Sequence, residues 1–254
     1  FVDRFVLSLL IPPITESLLL SDFQIGLLLG PAFAISFAVF GLPIGWLADR
    51  KSRTIIVATG ITLWSAMTAI CGLAKSFPML FAARIGVGLG EASLNPCVVS
   101  LVADFFPRNE RSRAIGLYMS SAFIGAGTAY IVGGQAVQVI SDLPPVVLPL
   151  VGELLAWQTV FIVVALPGFL IALLLSITPE PARKVEGDKT PDPKSFLQAV
   201  HYFSEHWRAY SSVFLGAAGT TAISAASFWS PALFERTYGW DVDRTGLVIG
   251  MVIL

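Results

Sequence analysis

The chain has 254 residues, of which 55% are hydrophobic and only 13% charged, against about 25% charged in an ordinary soluble domain. Several charge-free runs reach the roughly 20 residues that cross a ~30 Å hydrocarbon core as helix, which excludes a soluble globule. The net charge of −1 gives no basic excess for nucleic acid, and disordered, collagen-like and disulfide-scaffold classes fail on composition.

Seven spans and the start of an eighth follow in chain order. Residues 1–20 carry Asp3 and Arg4, residues 23–48 and 54–74 carry no charge, and residues 76–103 contain Arg84 and Glu91. Charge-free runs at 114–141, 154–179 and 209–234 come next, and a further span begins at Thr245. Because lipid offers no partner to an open strand edge, the spans are predicted to be helices, giving an all-α multi-pass membrane protein. Both termini fall in apolar runs, so the chain is expected to be part of a longer protein. Cys71 and Cys97 sit inside apolar runs and read as small hydrophobes rather than a disulfide or metal pair.

Of the 16 Lys and Arg residues, eleven lie in alternate connections, at 50–53, 108–113 and 183–208, while three lie in the others, at Lys75, Arg236 and Arg244. Arg4 and Arg84 fall within spans. This asymmetry predicts that the first set is cytoplasmic, with the N-terminus inside. Residues 178–210 form a long, Pro-rich and charged connection in which Phe196, Val200, Phe203, Trp207 and Tyr210 recur at helical spacing, predicting an amphipathic helix on the membrane surface. His201 and His206 fall in it without a third ligand, so no metal site is expected. The predicted domains are a six-helix transmembrane domain at 1–177, a cytoplasmic linker at 178–208 and the start of a second transmembrane domain at 209–254. Six helices, a linker and further helices is the layout of a two-half transporter.

Charges inside the bilayer cost roughly 2.5–3.5 kcal/mol each on insertion scales and call for partners or a watery cavity. At the α-helical rise, Asp3 and Arg4 lie ~20 and ~18 Å below the outer surface, and Arg84 and Glu91 ~14 and ~24 Å below it. The four share the middle of the membrane. Arg84 and Glu91 are almost two full turns apart, so they project from one face with Gly88 between them and Asn95 a turn beyond. Low dielectric raises a carboxyl pKa while a neighbouring Arg lowers it, leaving a group able to load and release protons. Asp3, Arg4, Arg84 and Glu91 are therefore the candidate proton-coupling set, with a structural ion-pair network as the alternative.

The segment GWLADRKSRT, residues 45–54, resembles the loop signature of the major facilitator superfamily, with Asp49, Arg50 and Arg53 in the expected places and Ser52 where a glycine is usual. The resemblance implies a major facilitator fold, here a complete N-terminal six-helix bundle plus helix 7 and the start of helix 8, and a cytoplasmic gating latch formed by Gly45, Asp49, Arg50 and Arg53. Gly45 is expected to permit close helix approach. The segment RIGVGLGEA matches the family's fourth-helix pattern. Gly116, Gly125, Gly133 and Gly134 partly match a fifth-helix glycine pattern of exporters, although helix packing alone accounts for them. FVDRFVLSLL, SDFQIGLL, ARIGVGLGEASLNP and SLVADFFPRNERSRAIGLY look most like the Spinster family of lipid transporters and its bacterial relatives. In that family the positions matching Asp3, Arg4, Arg84 and Glu91 are implicated in proton coupling and gating.

The function so implied is a proton-coupled secondary transporter working by alternating access and exporting lysolipids or other amphipathic organic anions. Phe37, Asn95 and Phe228 are candidate cavity residues. The alternatives are a proton-linked uptake symporter for small organic acids and a membrane receptor that moves nothing. The segment contains no GxSxG, HExxH or GxxxxGK[ST], so no enzyme and no ATP-driven pump is expected. Protons as the coupling ion, no other cofactor, membrane lipid and a small anionic substrate as partners, and a monomeric state complete the expectation. The short outer loops suit a bacterial plasma (inner) membrane.

Overall fold

The computed structural model describes residues 2–141, 144, 146–148, 152–183 and 201–254. It divides into two compact units, residues 1–181 with 229–254, and residues 182–228.

The first unit is helical almost throughout. α1 (Val2–Leu9) and α2 (Ile11–Leu18) occupy the first predicted span. The unbroken helix expected there is interrupted at Leu10, because Pro12 and Pro13 open α2 and neither can donate a backbone hydrogen bond. The second span is likewise split into α3 (Asp22–Leu29) and α4 (Pro31–Ala48) at Gly30–Pro31. A reciprocal cap starts α3: Ser21 Oγ accepts from Gln24 N at 3.3 Å, and Gln24 Oε1 accepts from Ser21 N at 2.9 Å. α5 (Arg53–Gly72) begins under Ser52, whose hydroxyl accepts from Ile55 N. The fourth span is α6 (Phe77–Glu91) and α7 (Leu94–Phe105), divided just after Glu91. α8 (Arg108–Ser141) has 34 residues and, at ~51 Å, outruns the hydrocarbon core.

An antiparallel hairpin, β1 (Val146–Leu148) with β2 (Gly152–Leu154), precedes α9 (Ala156–Ser176). The hairpin is a short insertion that leaves the all-α class standing, and it takes Leu154 out of the sixth span. The Val-rich run favours strand, and Gly152 supplies a φ of +90°. In the second unit, residues 201–205 are helical and α10 (Trp207–Ser227) follows with no boundary at 209. Phe196 and Val200 of the predicted amphipathic helix lie outside the described residues. Returning to the first unit, α11 (Ser230–Tyr238) opens on Pro231, so the seventh span is also two helices, and α12 (Val242–Ile253) follows under Asp241.

Five helical stretches among the described residues are long and apolar enough to cross a membrane: Asp22–Ala48, Arg53–Gly72, Phe77–Phe105, Arg108–Ser141 and Ala156–Ser176. α5 packs against α6 and α9, α4 against α6, and both α1 and α12 against α8. The main core joins Val6, Leu7 and Ile14 to Leu28, Leu80, Trp157 and Phe161, with Trp157 and Phe161 edge-to-face at 6.2 Å. This core holds α1 so that Arg4 reaches Glu91 at the end of α6.

Candidate functional site

α1 and α6 meet through an ion pair. Arg4 Nη2 donates to Glu91 Oε2 at 2.5 Å, and the Glu91 side chain is 8% exposed. The Arg4 guanidinium also lies on the face of Phe33, 3.7 Å from the ring centre, a cation–π contact that holds the planar group in place. Phe33 stacks on Phe37 with ring centres 5.6 Å apart, so a line of groups runs from Glu91 through Arg4 to α4. Glu91 Oε1 is buried without a hydrogen-bond partner among the described residues.

Asp3, also buried, faces a different neighbour. Its Oδ1 accepts from Arg4 N at 3.1 Å and its Oδ2 from Thr68 Oγ1 of α5 at 3.4 Å. Arg84 is 1% exposed, and its Nε has no hydrogen-bond partner among the described residues. Arg84 and Asp3 both stand within electrostatic reach of Cys71, while Asp3 and Arg4 stand within reach of Glu91. The structure thus assembles Asp3, Arg4 and Glu91 directly, with Arg84 on the Cys71 side of the same cluster. Between Arg84 and Glu91, Gly88 lets α6 lie against α4: a Cβ there would meet Ser36 Oγ and come 2.7 Å from Phe33 O. Asn95, past the break after Glu91, is exposed and accepts from Tyr118 Oη of α8 at 2.9 Å. Phe228 is half-buried at the end of α10 in the second unit.

The loop residues separate into different roles. Arg53 is 1% exposed and ties three segments together. Its Nη1 pairs with Asp104 and donates to Ser100 Oγ of α7 at 2.8 Å, and its Nε donates to Glu180 Oε1, beyond α9, at 2.9 Å. Arg50 instead lies exposed over its own helix, 4.1 Å from the Trp46 ring centre. Asp49 closes α4, its N–H bonded to Gly45 O at 3.1 Å. Gly45 makes no close approach, correcting that expectation: a Cβ there would meet Pro96 at 3.9 Å, an ordinary contact. Asp104, Ser100, Glu180, Thr68, Phe33 and Tyr118 are partners that sequence reasoning missed.

Burial pushes the Glu180 carboxyl up, but hydrogen bonds from Ser52 and from the backbone and side chain of Arg53 outweigh that and hold it at about 2. Since the folded value lies below the ordinary 4.5, its stabilising contribution is complete above that value and fades as pH falls from there toward 2. Glu180 therefore stays ionised through about pH 5 to 8, and Glu180→Gln should leave the pH midpoint of any transport unmoved, as flux at graded pH would measure. A moved midpoint would make Glu180 a titrating group.

No cluster of three or more His, Cys, Asp or Glu side chains fit for a metal occurs among the described residues. His201 pairs with Glu205 at 3.2 Å on an exposed surface.

The profile of the Major Facilitator Superfamily matches residues 1–254. Over 257 residues the chain is 30% identical to an MFS-type efflux pump of Mycolicibacterium smegmatis (strain ATCC 700084 / mc(2)155), covering 99% of this chain and 55% of that protein. It is 26% identical to a probable L-galactonate transporter of Escherichia coli (strain K12), covering 100% of this chain and 55% of the relative. A crystal structure of a bacterial homolog to the human lysosomal transporter Spinster, in an inward-facing and unoccupied conformation, matches with a TM-score of 0.80 and 31% identity, over 98% of this chain and 55% of that one. The chain spans about half the length of the curated relatives it matches. With its buried cross-helix charges, its loop signature and these likenesses, the chain belongs to the Major Facilitator Superfamily, as an N-terminal part of the Spinster type.

Proposed function

We propose that the full-length protein is a proton-coupled secondary transporter that works by alternating access and exports lysolipids or other amphipathic organic anions. The observation that carries this reading is the Arg4–Glu91 pair between α1 and α6, with Glu91 buried, Arg4 half-buried and one Glu91 carboxylate oxygen unpartnered among the described residues. Protonating Glu91 removes the charge that holds Arg4, releasing the guanidinium toward an anionic head group or toward Asp3, and so changes which packing of α1 against α6 is favoured. Phe33 and Phe37 beside Arg4 offer an apolar surface to a hydrocarbon tail. The efflux function named for the mycobacterial relative supports the outward direction. The excess of Lys and Arg in alternate loops supports a cytoplasmic N-terminus, and the short outer loops suit the plasma (inner) membrane of a bacterium.

Two contacts at the ends opposite the basic loops favour a state closed on that side. Arg236 of α11 holds Asp22 of α3 through two hydrogen bonds, at 2.8 and 3.1 Å. α12 lies against the distal half of α8, where a Cβ at Gly246 would strike Tyr130 O and one at Gly250 would come 2.7 Å from Gly127 O. Overpacking such a crossing costs about 1–3 kcal/mol in the closed state only. Gly246→Leu should therefore raise labelling of a cysteine in the outer cavity about fivefold or more. Unchanged labelling would contradict a closing role for this seam.

A second reading, proton-linked uptake of small organic acids, is favoured by the sugar-acid transport named for the E. coli relative. Flux of lysophospholipids and of short carboxylates through proteoliposomes of the full-length protein, under an imposed pH gradient, separates the two. Lysolipid flux that follows the gradient supports the proposal, carriage of tail-free acids alone supports the second reading, and binding without flux supports a receptor.

A further inference from the structure

Among the described residues the helix packing leaves a cleft that the transport reading does not use. α6 touches both α4 and α5, and between those two helices a groove of about 590 Å³ opens along the side of the bundle. Its floor is the α5–α6 crossing, where Gly60 and Gly90 approach so closely that a Cβ on either would come 2.7 Å from the other's carbonyl oxygen. Its walls are Leu47 on α4, Ile55, Ile56 and Leu63 on α5, and Leu89 on α6. Leu47 and Ile55 are 36% and 60% exposed at its rim. Only the end at the α4–α5 loop is charged, and the charge is Lys51, with the Ser52 hydroxyl beside it. Among the described residues, no carboxylate lines the groove.

We propose that this groove holds one acyl chain of an anionic bilayer phospholipid, with the lipid phosphate at Lys51. Three features select that occupant. The walls belong to membrane-spanning helices, so hydrocarbon rather than water or a soluble partner meets them. From Ser52 to Leu63 the groove runs ~16 Å at the α-helical rise, which is one leaflet of a ~30 Å hydrocarbon core. The sole charged lining side chain is a cation placed where helix gives way to loop, the depth at which basic residues meet anionic head groups. A lipid seated there spans the start of α5, next to the Arg53 junction with Asp104 and Glu180, and braces the two helices that the short loop joins.

The test is native mass spectrometry of the full-length protein in detergent, titrated with phosphatidylglycerol and, separately, with phosphatidylcholine of the same chains. Wild type should retain one phosphatidylglycerol about fivefold more tightly than phosphatidylcholine, the factor given by ~1 kcal/mol per basic side chain at an anionic surface. Lys51→Gln should erase that preference while phosphatidylcholine still binds. Thr59→Trp, which fills the groove from the half-way point of its α5 wall, should remove the retained lipid altogether, and Thr59→Phe gives the same reading if the larger ring prevents folding. Equal retention of both lipids by wild type would overturn the proposal, as would retention of phosphatidylglycerol by a folded groove-filled variant. One-for-one displacement by a lysolipid without a second chain would assign the groove to cargo and overturn it too.

Discussion

Replacing Glu91 with Gln in the full-length protein is expected to cut proton-driven flux at least about tenfold, within the roughly 5–150-fold range of ordinary coupling free energies. The amide keeps the shape of the carboxyl and can still accept a hydrogen bond from Arg4, so the fold is retained. It cannot lose or gain the proton that decides whether Arg4 is held. Flux should then become insensitive to the pH gradient, and exchange of cargo at equal pH should survive better than net movement. Asp3→Asn acts in the same direction, because Asp3 shapes the field at Glu91 while holding Thr68 of α5. Wild-type pH dependence in both variants would remove the coupling role from this cluster.

The second large effect is on stability, at the other end of the bundle. Arg53→Ala should destabilise the protein by about 3–5 kcal/mol, because removing one member of a buried charge cluster leaves the others without compensation. Here the stranded groups are Asp104, with a 9% exposed side chain, and Glu180, with a 20% exposed one. Arg53→Lys should recover only part of the loss, since an ammonium lacks the fork that reaches two carboxylates through separate N–H groups. In thermal unfolding, Arg53→Ala combined with Glu180→Ala should destabilise by much less than the two single losses added together. Additive losses would mean that the contact between the α5 start and the segment after α9 carries no coupling.

Much of this arrangement is legible from the residues alone, and the illegible parts share a physical cause. Counting depth along the helices places Asp3, Arg4, Arg84 and Glu91 at similar levels, because charges in lipid must find one another or water. Depth does not say which carboxylate takes which arginine. That choice depends on helix rotation, which turns Arg4 to Glu91 and Asp3 to Thr68. Thr68 gives no signal, being one hydroxyl among many in an apolar helix. Glu180 falls just after a span, in a Pro-rich charged stretch that reads as linker, although Arg53 draws it into the bundle. Arg50 and Arg53, three residues apart in one signature, look equivalent in sequence; the turn at residues 49–52 sends one over Trp46 and the other inward.

Three of the four breaks within spans carry prolines, at 12 and 13, 31 and 231, while the break after Glu91 carries none; span length is set by bilayer thickness, and that argument joins pieces which the missing backbone donors separate. Gly45 shows the opposite limit. A glycine in a signature suggests contact, yet the tight crossings of α6 fall at Gly88, Gly60 and Gly90, positions set by how α6 lies across its two neighbours.

Coupling in this mechanism requires Glu91 to change protonation while buried against Arg4. Infrared titration of carboxyl absorbance in the reconstituted full-length protein tests this most directly. The expected result is a protonated-carboxyl band that grows as pH is lowered through the range where transport changes, and that is missing from Glu91→Gln. A band of equal size and equal pH dependence in wild type and Glu91→Gln would contradict it.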